Sequence, residues 1–248
     1  SNCSWVRSFD GDVKKCKVDK YILTPLLFFN DLTKEVNRQD LMVGKYKNAH
    51  KTIPMLKDVI SQHLYLKLIE ISKPKTIIDL GTAFGGSSIW FKDMCPDAKI
   101  VTIDIEDFRK DESKVNGIDF LKLDLYDSDS VSKELSSYEH PWIVCEDCHV
   151  DASKIMGIFK NSMETNDYIV FEDTRPHNPD QPGMSATSDK YTCDSWAIDK
   201  LDSVEKEMLS RPEYLIDTEI QDFYGYNGCT HINSIFTKLT PFNFLISY

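Results

Sequence analysis

The sequence of 248 residues lacks the features that mark several classes of protein. No apolar run approaches the roughly 20 residues that a membrane-spanning helix needs. The chain also does not open on an apolar signal segment. Internal repeats and low-complexity tracts are missing as well. We therefore expect a globular cytoplasmic protein without a membrane partner.

A surplus of basic residues is missing too. The formal net charge is −11 at pH 7, and no basic stripe offsets it, so a nucleic-acid backbone is a poor candidate for the main partner. A small-molecule substrate fits this composition better. Assembly into a homo-oligomer is left open by the sequence.

The number of cysteines is odd. There are seven, scattered along the chain, which is unlike a paired disulfide framework and typical of reduced thiols in a cytosolic protein. Cys145 and Cys148 have C-x-x-C spacing, with His149 next. Residues of the same kinds follow downstream, and zinc could use such a ligand set: Cys193, Cys229 and His231. Because cysteine is common in buried strands, we favour core cysteines over zinc.

Apolar runs alternate with amphipathic segments, which predicts an α/β fold with a mostly parallel sheet covered by helices on both faces. Predicted strands lie at 76–80, 99–103, 118–123, 142–145 and 168–171. Predicted helices lie at 86–94, 152–161 and 194–209, and a further helix is predicted from Thr52, as its N-cap, to Pro74. Residues 214–218 and 233–238 are predicted to close the sheet as an antiparallel pair.

Composition suggests how the chain is organised. Residues 1–50 are mixed in character and are interpreted as an N-terminal arm or cap, whereas 51–248 are interpreted as one catalytic domain. Residues 174–193 are rich in Pro, Asn, Asp, Gly and Ser. A loop of this length in a compact domain indicates a lid or a disordered segment.

A glycine-rich turn follows the first predicted strand. Residues 76–88 (TIIDLGTAFGGSS) read as a buried strand, a tight turn and a helix start. This arrangement brings backbone N–H groups to the sheet edge where a nucleoside cofactor can bind. The G-x-G-x-x-G spacing of dinucleotide-binding turns is lacking, because Thr82 and Ala83 follow Gly81. The turn has an acid two residues before Gly81 and the next glycine four residues after it, and this pattern resembles motif I of S-adenosylmethionine-dependent methyltransferases.

Every predicted strand ends at or next to a carboxylate, and in a parallel sheet these ends share one edge. Asp104 is placed to take both ribose hydroxyls, and Asp124 to contact the adenine side. The full set of predicted cofactor-binding residues is Asp79, Gly81, Thr82, Gly85, Gly86, Ser87, Asp104 and Asp124.

A second group of acids comprises Glu146, Glu172 and Asp173, at the ends of the fourth and fifth predicted strands. Clustered carboxylates repel one another unless a cation holds them, and their hard oxygen atoms suit Mg²⁺ or Ca²⁺. A cation here could bind a substrate hydroxyl and lower its pKa. His149, three residues after Glu146, could then remove the proton.

The order IIDLGTAFGGSS, VTID, IVCEDCH and YIVFEDT, within residues 55–240, resembles the metal-dependent sugar O-methyltransferases of the rhamnosyl and macrolide type. That family also includes proteins described as cephalosporin hydroxylases. The resemblance implies a Rossmann-like class I fold with a seven-stranded sheet. It also implies S-adenosylmethionine and Mg²⁺, or Ca²⁺ or Mn²⁺, as cofactors, and transfer of a methyl group to a hydroxyl of a sugar, polyketide or other natural-product intermediate.

Carried over by spacing, the family's metal ligands correspond to Glu146, Glu172 and Asp173, and its general base to His149. The family usually has aspartate where Glu146 stands. Because Asp147 is adjacent, either residue could be the first ligand, and the longer Glu146 side chain would shift the ion.

Other functions remain open at this stage. A hydroxylase or another metal enzyme could use the same scaffold, because a fold does not fix a reaction. However, non-haem iron oxygenases usually supply two histidines and one carboxylate. A nicotinamide dehydrogenase is disfavoured by the glycine spacing, and a non-catalytic cofactor-binding protein stays as the alternative of another class.

Overall fold

The structure is a computed structural model of the chain. It describes residues 49–51, 53–55, 57, 59–148, 150–172, 174, 195–217, 220 and 233–239. The predicted arm, apart from residues 49 and 50, and the predicted lid, apart from Thr174, lie outside the described residues. His149 and Asp173 lie outside them too.

The strands that the structure describes are short and mostly buried. In chain order they are β1 (Ala49–His50), β2 (Ile53–Pro54), β3 (Thr76–Leu80), β4 (Lys99–Asp104), β5 (Ile118–Lys122), β6 (Trp142–Glu146), β7 (Tyr168–Phe171), β8 (Tyr214–Ile216) and β9 (Ser234–Lys238).

Seven of these strands form one sheet, in the order β5-β4-β3-β6-β7-β9-β8. Strands β3 to β7 are parallel to one another, whereas β9 is antiparallel to both β7 and β8. The strand order reverses between β3 and β6, so the crevice that binds ligands in open α/β sheets lies outside the carboxyl ends of these two strands. The predicted fold class is confirmed.

The helices are α1 (Val59–Ser72), α2 (Gly86–Met94), α3 (Ser128–Leu135), α4 (Ala152–Phe159) and α5 (Ser195–Leu209), with a short 3₁₀ turn at Asp111–Ser113. Two of them have aspartate N-caps. The Asp127 side chain accepts from the Ser130 amide at the start of α3, and Asp151 accepts from the Ser153 amide at the start of α4. Such caps satisfy amides that the helix itself leaves unpaired.

Two hydrophobic clusters cover the two faces of the sheet. Side chains of α3, α4 and α5 pack on one face with Ile78 and Val144, and side chains of α1 and α2 pack on the other with Ile77 and Ile143. Successive strand residues point to opposite faces. This explains why β3, β6 and β7 are buried along their whole length and read as unbroken apolar runs.

Most predicted boundaries agree with the structure within two residues, and those of β3, β7 and α2 agree at both ends. The predicted antiparallel closing pair is confirmed as β8 and β9. The predicted helix start at Thr52 is wrong, because Ile53 and Pro54 pair with His50 and Ala49 in a hairpin and α1 begins at Val59. None of the helices among the described residues has the length and apolar character needed to cross a membrane.

Candidate active site

The carboxyl edge of the sheet carries a row of acidic side chains, as the strand ends predict. Three neighbouring strands supply four of them, Asp79, Glu146, Asp147 and Glu172, and we call this group the acidic edge. Leu80 pairs with Glu146, and Glu146 pairs with Phe171. The group therefore lies across β3, β6 and β7, next to the point where the strand order reverses.

The glycine turn approaches this group closely. Gly81 has a φ of 95°, and a Cβ atom built on it would lie 2.7 Å from the Asp147 carbonyl oxygen. Gly85, with a φ of 83°, precedes α2 as its N-cap residue, and no side chain caps the helix there. Both positions need glycine, because residues with a side chain rarely adopt a positive φ. The turn therefore presents the N-terminus of α2 toward the edge of the sheet.

We expect Gly81→Ala to lower the free energy of unfolding by at least about 1–3 kcal/mol, since alanine at this φ is strained and its methyl group would overlap the Asp147 backbone. Gly157→Ala is the matched control. Gly157 lies inside α4, and its added methyl group would meet the Ser128 hydroxyl at 3.3 Å. Chemical denaturation should show a change of less than about 1 kcal/mol there. Equal losses in the two variants would contradict the role assigned to the Gly81 conformation.

Asp79 is the innermost of the predicted cofactor residues. It is 1% exposed, and its Oδ2 atom accepts a hydrogen bond of 2.8 Å from the Ser88 hydroxyl in the first turn of α2. Its Oδ1 atom is buried and accepts no hydrogen bond within the part of the chain that the structure describes. Burial raises the pKa of this carboxyl group. A buried acceptor without a donor at a cofactor edge is suited to a donor supplied by a ligand.

The other predicted cofactor residues take different positions. Asp104 is tied to the glycine turn, because its Oδ2 atom accepts from the Ala83 amide at 3.0 Å. Asp124 lies beyond β5, and its side chain accepts from the Tyr126 amide. The Thr82 hydroxyl is turned into the protein, where it lies 2.6 Å from that of Thr102. The Thr82 hydroxyl is therefore engaged inside the protein, and the backbone is the part of Thr82 left for a cofactor.

Exposed apolar side chains lie in the glycine turn and shortly after Asp104 and Asp124 in the chain, and sequence reasoning missed them. The group comprises Phe84, Ile105, Phe108 and Tyr126, each at least 43% exposed. All four follow an acid or a glycine-turn residue by one to four positions, and this adjacency was the signal available in the sequence. Apolar surface beside carboxylates suits a ligand with a flat ring and polar hydroxyls.

A buried hydrogen-bond network holds Glu172. Its Oε1 atom accepts from Lys57 Nζ at 2.6 Å, from the Tyr65 hydroxyl at 2.6 Å and from Cys145 Sγ at 3.0 Å. Lys57 Nζ also lies 3.5 Å from Asp147 Oδ2. Burial alone would raise the pKa of Glu172, but the Lys57 ammonium and these donors outweigh it and hold that pKa below its usual value.

Glu146 has a separate environment on the neighbouring strand. It is fully buried, and its Oε1 atom accepts from the Cys148 amide at 3.2 Å and from Cys148 Sγ at 3.3 Å. Its Oε2 atom lies 2.8 Å from Nζ of Lys200, which comes from α5. Burial, together with Glu146, raises the pKa of the Cys148 thiol. Both cysteines of the C-x-x-C pair therefore contact acids as neutral thiols.

The structure places Glu146 and Glu172 at neighbouring strand ends, where the Glu172 amide donates to the Glu146 carbonyl. Their side chains take partners from opposite faces of the sheet, so the complete predicted metal set is not brought together. Asp173 and His149 lie outside the described residues, so their roles stay predictions. Among the residues that are described, no three His, Cys, Asp or Glu side chains converge as the ligands of one cation. Two lysines that the sequence did not single out, Lys57 and Lys200, contact the acidic edge instead.

A family comparison is decisive for this chain. The model of the family described as rhamnosyl O-methyltransferase/CmcI matches residues 44–231. The chain belongs to this family. The predicted resemblance is thereby confirmed, and the chain is an S-adenosylmethionine-dependent O-methyltransferase by family and fold.

Solved structures of related proteins agree on the fold. An apo structure of CmcI is 22% identical, with a TM-score of 0.59, covering 77% of this chain and 76% of that one. A structure of CmcI with Mg and SAM is 21% identical, with a TM-score of 0.58 and the same coverages. The SAH-bound Podospora anserina methyltransferase PaMTH1 is 15% identical, with a TM-score of 0.51, covering 89% of this chain and 93% of that one. Among curated proteins, none matches the chain.

Proposed function

We propose that the chain is a divalent-metal-assisted O-methyltransferase that transfers the methyl group of S-adenosylmethionine to a hydroxyl of a small molecule, a sugar, polyketide or other natural-product intermediate. One observation carries the proposal. The glycine turn, with the α2 N-terminus and Asp104, lies directly beside the buried pair of carboxylates Glu146 and Glu172. A nucleoside site and an acidic site therefore share the edge of β3 and β6.

Family membership and the fold support S-adenosylmethionine as the cofactor. The N-terminus of α2, which favours anions, would hold its carboxylate, and Asp104 would accept from its ribose hydroxyls. The buried Oδ1 atom of Asp79 suits the cofactor's amino group. The exposed apolar group around Ile105 and Tyr126 would flank the adenine ring.

The described residues fit a divalent cation as part of its ligand set. The described residues hold Glu172 through Oε1, which leaves Oε2 as a hard oxygen donor. Oε2 of Glu146 is buried without a hydrogen bond from any described residue, although Lys200 Nζ lies 2.8 Å from it. The acidic edge has four carboxyl groups, and two lysines contact it, so these lysines are fewer than the acids that they face. Glu146, Glu172 and Asp173 would hold the cation.

When bound, a divalent cation lowers the pKa of a hydroxyl that it contacts. The chain itself aligns the acceptor hydroxyl with the donor and excludes water, which favours direct transfer. The imidazole of His149 accepts the hydroxyl proton. The acceptor oxygen forms its bond to the methyl carbon as the sulfur–methyl bond breaks, which leaves a methyl ether, neutral S-adenosylhomocysteine and a protonated His149.

Asp104→Asn tests the cofactor half of the proposal. Titration calorimetry with S-adenosylhomocysteine should give a dissociation constant at least about tenfold higher than that of the wild type, because the charged acceptor is lost. Asp111→Asn, at an exposed position of the 3₁₀ turn, should bind as the wild type does. Equal affinity of Asp104→Asn and the wild type would contradict the ribose contact.

The acceptor is tested by mass spectrometry of hydroxylated natural products after incubation with S-adenosylmethionine and Mg²⁺. Products heavier by one methylene group are expected. Cofactor binding without any such product would favour the non-catalytic alternative. We also propose that residues 1–50 form an arm and residues 174–193 a lid over this edge, and that the enzyme acts in the cytoplasm.

A further inference from the structure

Two lysines contact the acidic edge in different ways. Lys57 is fully buried and hydrogen-bonds Oε1 of Glu172, whose other oxygen accepts no hydrogen bond from a described residue. Lys200 is 9% exposed and lies against Oε2 of Glu146 at 2.8 Å. The two ammonium groups therefore contact different carboxylates, Lys57 at Oε1 of Glu172 and Lys200 at Oε2 of Glu146.

The two oxygens of Glu146 are already divided between partners. Oε1 accepts from the amide and thiol of Cys148, so the backbone itself fixes that oxygen. Oε2 is the oxygen left for a cation, and it is the one that the Lys200 ammonium approaches. The contact is an ion pair without hydrogen-bond alignment, since this oxygen accepts no hydrogen bond within the described part of the chain.

An ammonium group and a divalent cation cannot share this oxygen at low cost. Both would lie within a few ångströms of each other in a buried place, where like charges repel strongly because water does not screen them. Lys57 can stay when a cation binds, because it holds the opposite oxygen of Glu172. Lys200 cannot stay.

We propose that Lys200 competes with the divalent cation for Glu146. Its ammonium neutralises Glu146 when the site is without the cation, and the side chain leaves Oε2 when the cation enters. A lysine can do this because its long stem moves by rotation about single bonds and lets the ammonium reach water while the stem stays packed. Lys200 thus sets the affinity for the cation. The inference rests on the proposed function, since it assumes the cation site.

The test is the affinity of the cofactor-free protein for Mn²⁺ and Mg²⁺, measured by titration calorimetry on the wild type and on Lys200→Met. Methionine keeps the apolar stem and removes the charge. We expect the dissociation constant to fall by about tenfold or more, because the cation no longer displaces a counter-charge. Lys206→Met, at an exposed position of the same helix, is the matched control and should bind as the wild type does.

A second variant separates charge from packing. Lys200→Arg keeps the positive charge and should not gain affinity, whereas a gain in Lys200→Met and Lys200→Arg alike would contradict competition by charge. Thermal unfolding gives an independent readout, because saturating Mg²⁺ should raise the Tm of Lys200→Met by more than that of the wild type.

The outcomes distinguish this inference from the proposed function. If the wild type binds the cation and Lys200→Met binds it equally or more weakly, the competition is overturned and the proposed metal site stands. If neither protein binds Mn²⁺ or Mg²⁺, with or without S-adenosylmethionine, the metal part of the proposed function is overturned together with the competition.

Discussion

Lys57→Met should lower the free energy of unfolding by about 3–5 kcal/mol, because breaking a buried ion pair leaves a charge without its counter-charge. Lys57 donates to Glu172 and lies beside Asp147, and its side chain is fully buried. Chemical denaturation in the absence of divalent cations measures the loss. Lys67→Met, at a partly exposed surface pair on α1, should cost less than about 1 kcal/mol.

Removing the acid as well should recover part of that loss. Lys57→Met combined with Glu172→Gln leaves no charge at this pair. Replacing both members of a buried ion pair by uncharged residues often changes the free energy of unfolding little. The double variant should therefore be more stable than Lys57→Met alone. If it is less stable, Glu172 is not the group that Lys57 neutralises.

The pH dependence has a definite sign. The pKa of Glu172 lies below its usual value in the folded protein, so the stability it contributes is present above about pH 4.5 and is lost as the pH falls through its folded value. Without Lys57, burial would raise that pKa. The difference between the wild type and Lys57→Met should therefore shrink on acidification.

His149→Ala should lower kcat by about 10²–10⁴-fold, the usual contribution of a general base, while the dissociation constant for S-adenosylmethionine stays near the wild-type value. The reason is that the imidazole acts on the acceptor proton and not on the cofactor. Steady-state kinetics and calorimetry on the same preparations measure the two effects.

The pH profile separates a base from a structural residue. In the wild type kcat should rise with pH through about 6.5, the usual pKa of histidine, and this rise should disappear in His149→Ala. His50→Ala is the control, since His50 contacts Asp93 near the end of α2 that is remote from the glycine turn. A kcat within threefold of wild type for His149→Ala would rule out the assigned base.

The sequence located the carboxylates of the site but not all of their counter-ions. Asp79, Glu146 and Glu172 follow apolar runs, so their place at the strand ends is a local property of the chain. The same reasoning predicted a metal cation beside the clustered acids. Part of the positive charge there comes instead from lysine side chains of the protein. Lys57 is 115 residues from Glu172, and no local pattern distinguishes it from a surface lysine.

The errors in the predicted helices have local causes. Thr52 and Pro54 imitate an N-cap and a first-turn proline, yet Pro54 pairs in a hairpin and its carbonyl lies against Gly86, a contact that local propensity does not contain. Helix α3 was missed because only Val131 and Leu135 are buried in it. The Asp127 cap was the signal that could have revealed it.

The late position of β9 in the sequence means that β7 is synthesised well before one of its two neighbours in the sheet. Phe171 pairs with Ser234, which follows it by 63 residues, and Thr174 bonds to Ser234 through their hydroxyls. Ribosomes add about 5–20 residues per second, so about 3–13 seconds separate the synthesis of these partners. The half of the edge built from β3, β4, β5 and β6 is complete in sequence before β7 gains its second neighbour. During synthesis, the strands of the nucleoside-binding half are thus all present well before β9 can pair with β7, the strand that precedes Glu172.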